Sequence, residues 1–332
     1  MRIPNLFLVI ASFYVASTCI ATGTPIKETP IPVSFSEDRI FLNIKSKNSE
    51  LRFLIDSGGS IFPFVYDDTA RVLELKKLGT FFDSDESIDY TAIDDRFYTQ
   101  LPHFKLNWAK KVRILKYNVD RSGKPMSDEP SQLRFILGDG FIGASFFDYQ
   151  IWHLDYLSKK VSMASRLPDL KMNVKFNIFF KTIGKKYSTF QPRIKVSIDG
   201  EEISMLLDTG ATSISTEQTS KIIGYDKKVF ASSFIAKSLF EKLKKIHPDW
   251  KIIPNAELIN GKNDFLQVPE IKFAGHVVGP VWFAVRSDKV YQEYSKRFMD
   301  EQISGALGGN FLKYFDLWLD YKRGIGMARA IH

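Results

Sequence analysis

The chain repeats itself, and an aspartate marks each copy. Leu51–Ser60, LRFLIDSGGS, aligns with Ile203–Thr212, ISMLLDTGAT. Before each aspartate lies an alternating stretch, IFLNIK from Ile40 and RIKVSI from Arg193. Alternation of apolar and polar residues with a period of two marks half-buried strands. A polar turn follows each stretch, SKNSE at Ser46–Glu50 and DGEE at Asp199–Glu202. The unit is therefore a β-hairpin whose second strand ends on a carboxylate.

Two further matches follow in the same order. LPHFKL (Leu101–Leu106) corresponds to VPEIKF (Val268–Phe273). GFIGASFFDYQIWHLDY (Gly140–Tyr156) runs without a gap against GALGGNFLKYFDLWLDY (Gly305–Tyr321). Ordered matches of this length indicate a tandem duplication, each unit too long and too β-rich for a solenoid repeat. The expected architecture is all-β and bilobed, with lobes over residues 30–166 and 167–332 joined near RLPDLKMNVKF, where Pro168 interrupts the pattern. A few helices are expected, the largest helical insertion in the second lobe. Spacing from about Ala231 to Ile246 places Ile235, Leu239, Phe240 and Leu243 on one face and Lys242, Lys244 and Lys245 on the other, with Pro248 beyond the end.

Composition bounds the partners. A content of 44% hydrophobic residues excludes wholesale disorder, and 28 Phe point to thick cores or an apolar cleft. The formal charge of +8 is spread along the chain, so it reads as a solubilising surface and not as a nucleic-acid footprint. Arg2, an apolar run from Leu6 to about Val15 and then small residues have the layout of a secretory signal peptide over residues 1–23, with cleavage near Ala21 or Gly23. The mature chain is then expected to be secreted or periplasmic, with no stable membrane span. The sole cysteine, Cys19, falls inside that segment, which leaves no disulfide or thiol chemistry in the mature chain. Lipid anchoring at Cys19 is the alternative, and Thr18 before it argues against that.

A lone Asp-Ser/Thr-Gly is a common turn. Two of them, each closing a hydrophobic strand at the same place in a repeat, suit a specific chemistry. Two carboxylates within about 3 Å cannot both ionise at ordinary pH and share one proton. The ionised oxygen can take a proton from water while its protonated partner donates to a substrate carbonyl. Asp56 and Asp208 are the candidate pair. Gly58 and Gly210 are expected to permit tight turns and close approach of backbone amides. Ser57 and Thr209 carry short hydroxyls suited to locking the two loops together. Phe141–Gly143 and Ala306–Gly308 are expected to pass behind the loops as buried strands.

These motifs resemble aspartic proteases of the pepsin/retropepsin kind. The Gly–apolar–apolar–Gly block with its Phe and closing Leu-Asp-Tyr is more similar to the single-lobe retropepsin-like domains of bacterial proteins than to animal pepsins. The resemblance spans Ile40–Ala164 and Ile194–Ala328. It implies a pepsin-like double barrel, a cleft for a polypeptide substrate in extended form, and Asp56 and Asp208 as a catalytic dyad. It implies no cofactor and no metal. With both units in one chain the site can form in a monomer. A flap over the cleft is poorly marked: Tyr90 or Tyr98 in the first lobe and the turn at Asn260-Gly261 in the second are the candidates. Gly59 and Ala211 depart from the Ser or Thr usual after Asp-Thr-Gly in the pepsin branch. Ala211 fits the retropepsin branch, whereas Gly59 fits neither and leaves its loop more flexible. The alternative is a catalytically silent peptide-binding protein of the same fold.

Other chemistries lack their motifs. None of the five histidines is spaced as a metal pair, and neither HExxH nor Gly-x-Ser-x-Gly occurs. The Tyr and Trp of IWHLDY and DLWLDY alternate with polar residues and read as strand core, not as a base-stacking platform. Asp155 and Asp320, each at the end of a repeat strand, read as structural.

Overall fold

The hairpin that ends on an aspartate is the unit from which each half is built. The computed structural model describes residues 25–331 except 47–48, 61–62, 84–85, 92–111, 116–135, 170–172, 185, 188 and 259–261. Strands dominate the described residues, and helices are few. In the first half Arg39–Ser46 pairs antiparallel with Ser49–Ile55, which pairs parallel with Gly140–Ile142. That strand lies antiparallel to Phe64–Tyr66, which runs parallel to Val112–Leu115. In the second half Arg193–Ile198, Glu201–Leu207, Gly305–Leu307, Ser233–Ala236 and Val281–Arg286 follow each other in the same order with the same alternation of sense. The duplication read in the sequence is thus present in the topology. Asp199 and Gly200, both at positive φ, form the two-residue turn of the second hairpin.

A third sheet joins the halves. Its six strands run Glu28–Ile31, Lys160–Ala164, Ile151–Asp155, Phe315–Asp320, Ile325–Ala330 and Val174–Asn177. At its centre Ile151 faces Asp320, His153 faces Trp318 and Asp155 faces Asp316. Ile151 corresponds to Asp316 in the repeat and Asp155 to Asp320. Exchanging the halves therefore leaves the register unchanged, and a local twofold passes through the His153–Trp318 pair. The two rings stack there at 3.8 Å and 12°. Asp155 and Asp320 cap turns, accepting from the amides of Ser158 at 2.8 Å and Arg323 at 2.9 Å.

Phenylalanine fills the interior. Phe53, Phe147, Phe283, Phe311 and Phe315 are fully buried, each stabilising the fold by about 1.5–3 kcal/mol. Phe147 stacks on Tyr321 across the halves at 5.4 Å, and Phe146 stacks on Trp152 at 4.9 Å. One core of buried residues runs through these three sheets.

The helix expected from about Ala231 begins later. Ser233–Ala236 is a strand, and the helix is Lys237–Ile246. Ile235 supports the sheet instead of the helix, because it lies between two neighbouring strands, opposite Val285 and Gly305. A strand with neighbours on both edges and apolar on both faces mimics a helical stripe over so short a stretch. Leu239, Phe240 and Leu243 do form the buried helix face. The longest helix among the described residues is a different one, Asp288–Phe298, which the sequence reading missed. Among the described residues no helix is long and apolar enough to cross a membrane.

His153 sits in the shared sheet between two carboxylates. Its Nδ1 lies 2.8 Å from Glu28 and its Nε2 2.6 Å from Asp316, whose other oxygen accepts from Arg329. Ser162 Oγ also donates to Glu28. Burial alone would lower the imidazole pKa, but the hydrogen bonds and charges of Asp316 and Glu28 outweigh it and raise the pKa above 6.5. Burial would raise Asp316, and His153 and Arg329 together pull it below 3.8. The His153 contribution is therefore complete below about pH 6.5 and is lost as pH rises through the raised folded value. The Asp316 contribution is lost only in acid, below the ordinary carboxylate range. His153→Gln should cost about 1.5–3 kcal/mol near pH 5.5 and little at pH 9, read as the difference in thermal midpoint from the parent across pH. A pH-independent difference would remove the charge from this account.

Candidate active site

Each aspartate sits at the end of its hairpin because the strand behind it holds the loop. Asp56 N donates to Ile142 O at 2.9 Å, and Asp208 N donates to Leu307 O at 3.0 Å. The two loops meet through a reciprocal set of four buried bonds. Ser57 N donates to Thr209 Oγ1 at 3.1 Å and Thr209 N to Ser57 Oγ at 3.0 Å. The hydroxyls in turn donate across the join, Ser57 to Leu207 O and Thr209 to Ile55 O, both at 2.8 Å. Both hydroxyl residues are wholly buried, so every donor and acceptor in this cross-brace needs its partner. The hydroxyls occupy the roles expected from sequence.

The brace brings the carboxyl groups of Asp56 and Asp208 into hydrogen-bond contact. Both residues remain partly exposed to solvent. Gly58 N donates to Asp56 Oδ1 and Gly210 N to Asp208 Oδ1, each at 3.0 Å. Burial raises the Asp56 pKa well above 3.8, and the charge and hydrogen bond of Asp208 raise it further against the amides of Gly58 and Gly59. Burial also raises Asp208, opposed by the hydrogen bond from Asp56 and by the amides of Gly210, Ala211 and Gly58. Carboxyls this close share one proton, with the negative charge better supported on Asp208.

The glycines bring their amides to the carboxylates as expected, but they also have a role that the sequence did not show. Neither Gly58 nor Gly210 has a positive φ, so no turn demands them. A Cβ on Gly58 would lie 2.5 Å from Asp208 Cγ, and a Cβ on Gly210 2.2 Å from Asp56 Cγ. Each glycine makes room for the carboxylate of the other half. That requirement crosses between the halves and has no local signature.

Gly59 is also explained by space. A Cβ there would lie 2.5 Å from the Phe141 ring and 2.6 Å from Asp56 Oδ2. In the second half the corresponding pair is Ala211 and Ala306, so the large ring and the missing methyl are matched. The expected looseness of that loop is countered by two side chains that sequence reading missed, Tyr294 and Gln191. Tyr294 Oη donates to Gly58 O, and Gln191 Nε2 donates to Gly59 O at 2.8 Å. Burial and then the charges of Asp208 and Asp56 raise the Tyr294 phenol well above 10, so it stays a neutral donor.

Of the flap candidates, Tyr90 lies in the strand Glu86–Thr91, opposite Gly79 and Arg113. Tyr98 and Gly261 lie outside the described residues, as do Cys19 and the whole leader expected over residues 1–23. No protein-family model matches the chain, and no curated protein matches it.

Proposed function

We propose that the chain is a bilobed aspartic endopeptidase with a pepsin-like double barrel, in which Asp56 and Asp208 activate water against a peptide bond. The single observation that carries this reading is the contact between two carboxyls from equivalent places in the repeat, braced by Ser57 and Thr209. In the proposed reaction the ionised oxygen takes a proton from water, and the hydroxide attacks the scissile carbonyl carbon. The protonated carboxyl donates to the carbonyl oxygen, which becomes a hydroxyl in the tetrahedral intermediate. As the C–N bond breaks, the amine leaves with a proton from the pair and one hydroxyl of the diol gives its proton back to it, which leaves a carboxylic acid product and the singly protonated dyad. The substrate is an extended polypeptide held by backbone hydrogen bonds and apolar subsites, with no metal or cofactor in the step. Both carboxyls come from one chain, so the working form is a monomer, exported through its leader.

Activity needs the singly ionised pair. Both carboxyls are raised, so the acid limb of the pH–rate profile falls above 3.8 and the alkaline limb well above it. Purified protein lacking residues 1–23 should cut an unfolded protein with a bell-shaped profile, maximal between the ordinary carboxylate range and neutrality. A statine-type analogue of the tetrahedral state should block it. Binding of the analogue or of peptide without cleavage at any pH would replace the enzyme with a silent peptide-binding protein.

A further inference from the structure

Two loops carry the carboxyl pair, but they are not held alike. Gly210 O accepts from Thr212 Oγ1, two residues along the same loop, at 2.8 Å. The corresponding carbonyl, Gly58 O, accepts from Tyr294, which is 236 residues away on the helix Asp288–Phe298. The next carbonyl, Gly59 O, accepts from the wholly buried Gln191. The first loop is also intrinsically the freer one, because it has two adjacent glycines where the second has Gly210-Ala211.

Resting on the reading of the pair as a catalytic dyad, we propose that Tyr294 and Gln191 are positioning residues that fix two successive peptide planes, Gly58–Gly59 through Gly58 O and Gly59–Ser60 through Gly59 O, and so aim the Gly59 amide at Asp56. The covalent geometry carries the inference. Gly58 C=O and Gly59 N–H belong to one planar unit and point in opposite directions. A phenol that grips Gly58 O therefore orients the Gly59 N–H, which faces Asp56: it donates at 3.4 Å to the main-chain oxygen of that residue, Gly59 lies beside Asp56 Oδ2, and the amide favours the ionised carboxyl. The peptide between two glycines has little steric barrier to flipping once the phenol is gone.

The two gripping side chains are themselves tied together. Thr189 Oγ1 donates to Phe298 O at 2.8 Å, Arg193 pairs with Asp300 through two bonds of 2.7 Å, and Ile303 N donates to Ser295 Oγ at 3.1 Å. The segment around Gln191 and the helix bearing Tyr294 thus form one braced support from the second half. A change in that support would be felt at the carboxyl of the first.

The test is Tyr294→Phe, which removes one oxygen and keeps the ring. Tyr291→Phe is its control: the residue lies nearly one turn earlier on the same helix, is more deeply buried, and its hydroxyl has no hydrogen-bond partner among the described residues. Carboxyl titration by 13C NMR of Asp-labelled protein is read first, with thermal midpoints to confirm folding. In Tyr294→Phe the upper apparent pKa of the pair, at which Asp56 ionises beside Asp208, should rise by about one unit, since ionised Asp56 loses an amide donor. In Tyr291→Phe it should stay within about 0.2 units of the parent. Cleavage should show the same upward shift of the alkaline limb, with kcat down about tenfold and KM little changed. Parent-like titration in Tyr294→Phe, or the same shift in both variants, overturns the proposal. If the parent cleaves nothing, the dyad reading fails by itself, and the NMR titration still decides whether Tyr294 orients the loop.

Discussion

Asp208→Asn will abolish cleavage and make the folded protein more stable above neutral pH. Activity is lost because the amide cannot take a proton from water, and its Nδ2 donates to Asp56 where a carboxylate had accepted. General acid–base contributions run from about 10² to 10⁴, and one carboxyl here serves both halves of the proton transfer, so the loss should be about 10³-fold or more. The stability gain follows from the sign of the shift. Both carboxyls are raised in the folded state, mainly by burial. A carboxyl raised on folding is at no disadvantage below the unfolded value, and stability falls as pH rises through the folded value. Asparagine resembles the protonated form at every pH and escapes that penalty. Each unit by which the folded pKa exceeds the unfolded one corresponds to about 1.4 kcal/mol. The thermal midpoint of Asp208→Asn should therefore match the parent near pH 3.5 and exceed it increasingly toward pH 8, and Asp56→Asn should behave likewise. A structural carboxylate would give the opposite slope, as Asp316 does beside His153 and Arg329. An active variant, or one destabilised at pH 8, would remove the pair from the chemistry.

What the sequence showed and what it hid divide along physical lines. The repeat was legible because duplicated hairpins keep their period-two patterning. Ser57 and Thr209 were legible because short hydroxyls beside paired aspartates have few other uses in a buried join. The clearance role of Gly58 and Gly210 was not, since it depends on a carboxylate about 150 residues away in sequence. Tyr294 was hidden for the same reason, although its helix was not: Tyr291, Tyr294 and Phe298 lie at helical spacing after Ser287-Asp288. The strand Ser233–Ala236 was misread because a short strand, apolar on both faces, and a helical stripe look alike. Gly59 looked like a departure only while Phe141 was out of view.

Gly210→Ala should remove most of the activity without straining the backbone. Gly210 has no positive φ, so alanine meets no backbone penalty, and the whole effect comes from occupied space. The new Cβ would lie 2.2 Å from Asp56 Cγ, 2.5 Å from its Cβ and 2.6 Å from Oδ1. None of these is the loose end of a long side chain, so the carboxyl must retreat by about an ångström to restore ordinary contact. Retreat takes Asp56 from Asp208, and two separated carboxyls no longer share a proton. Asp56 should then lose the part of its rise that the charge and hydrogen bond of Asp208 supply, while Asp208 loses the hydrogen bond that lowers it and stays raised by burial. Turnover, as kcat/KM, should drop by about 100-fold or more, the scale expected for a 1 Å misplacement of reacting groups. Gly58→Ala should do the same from the other side, through Asp208. Gly200→Ala supplies the contrast: its Cβ would meet nothing within 4 Å, but its φ of +78° strains any side chain. It should lower stability by about 1 kcal/mol and leave turnover unchanged. The pattern to measure is a crossover, with activity lost at Gly210 where the backbone is relaxed and kept at Gly200 where it is strained. Equal activity in the two variants would mean that the carboxyl contact is dispensable, and the proposed mechanism would fall with it.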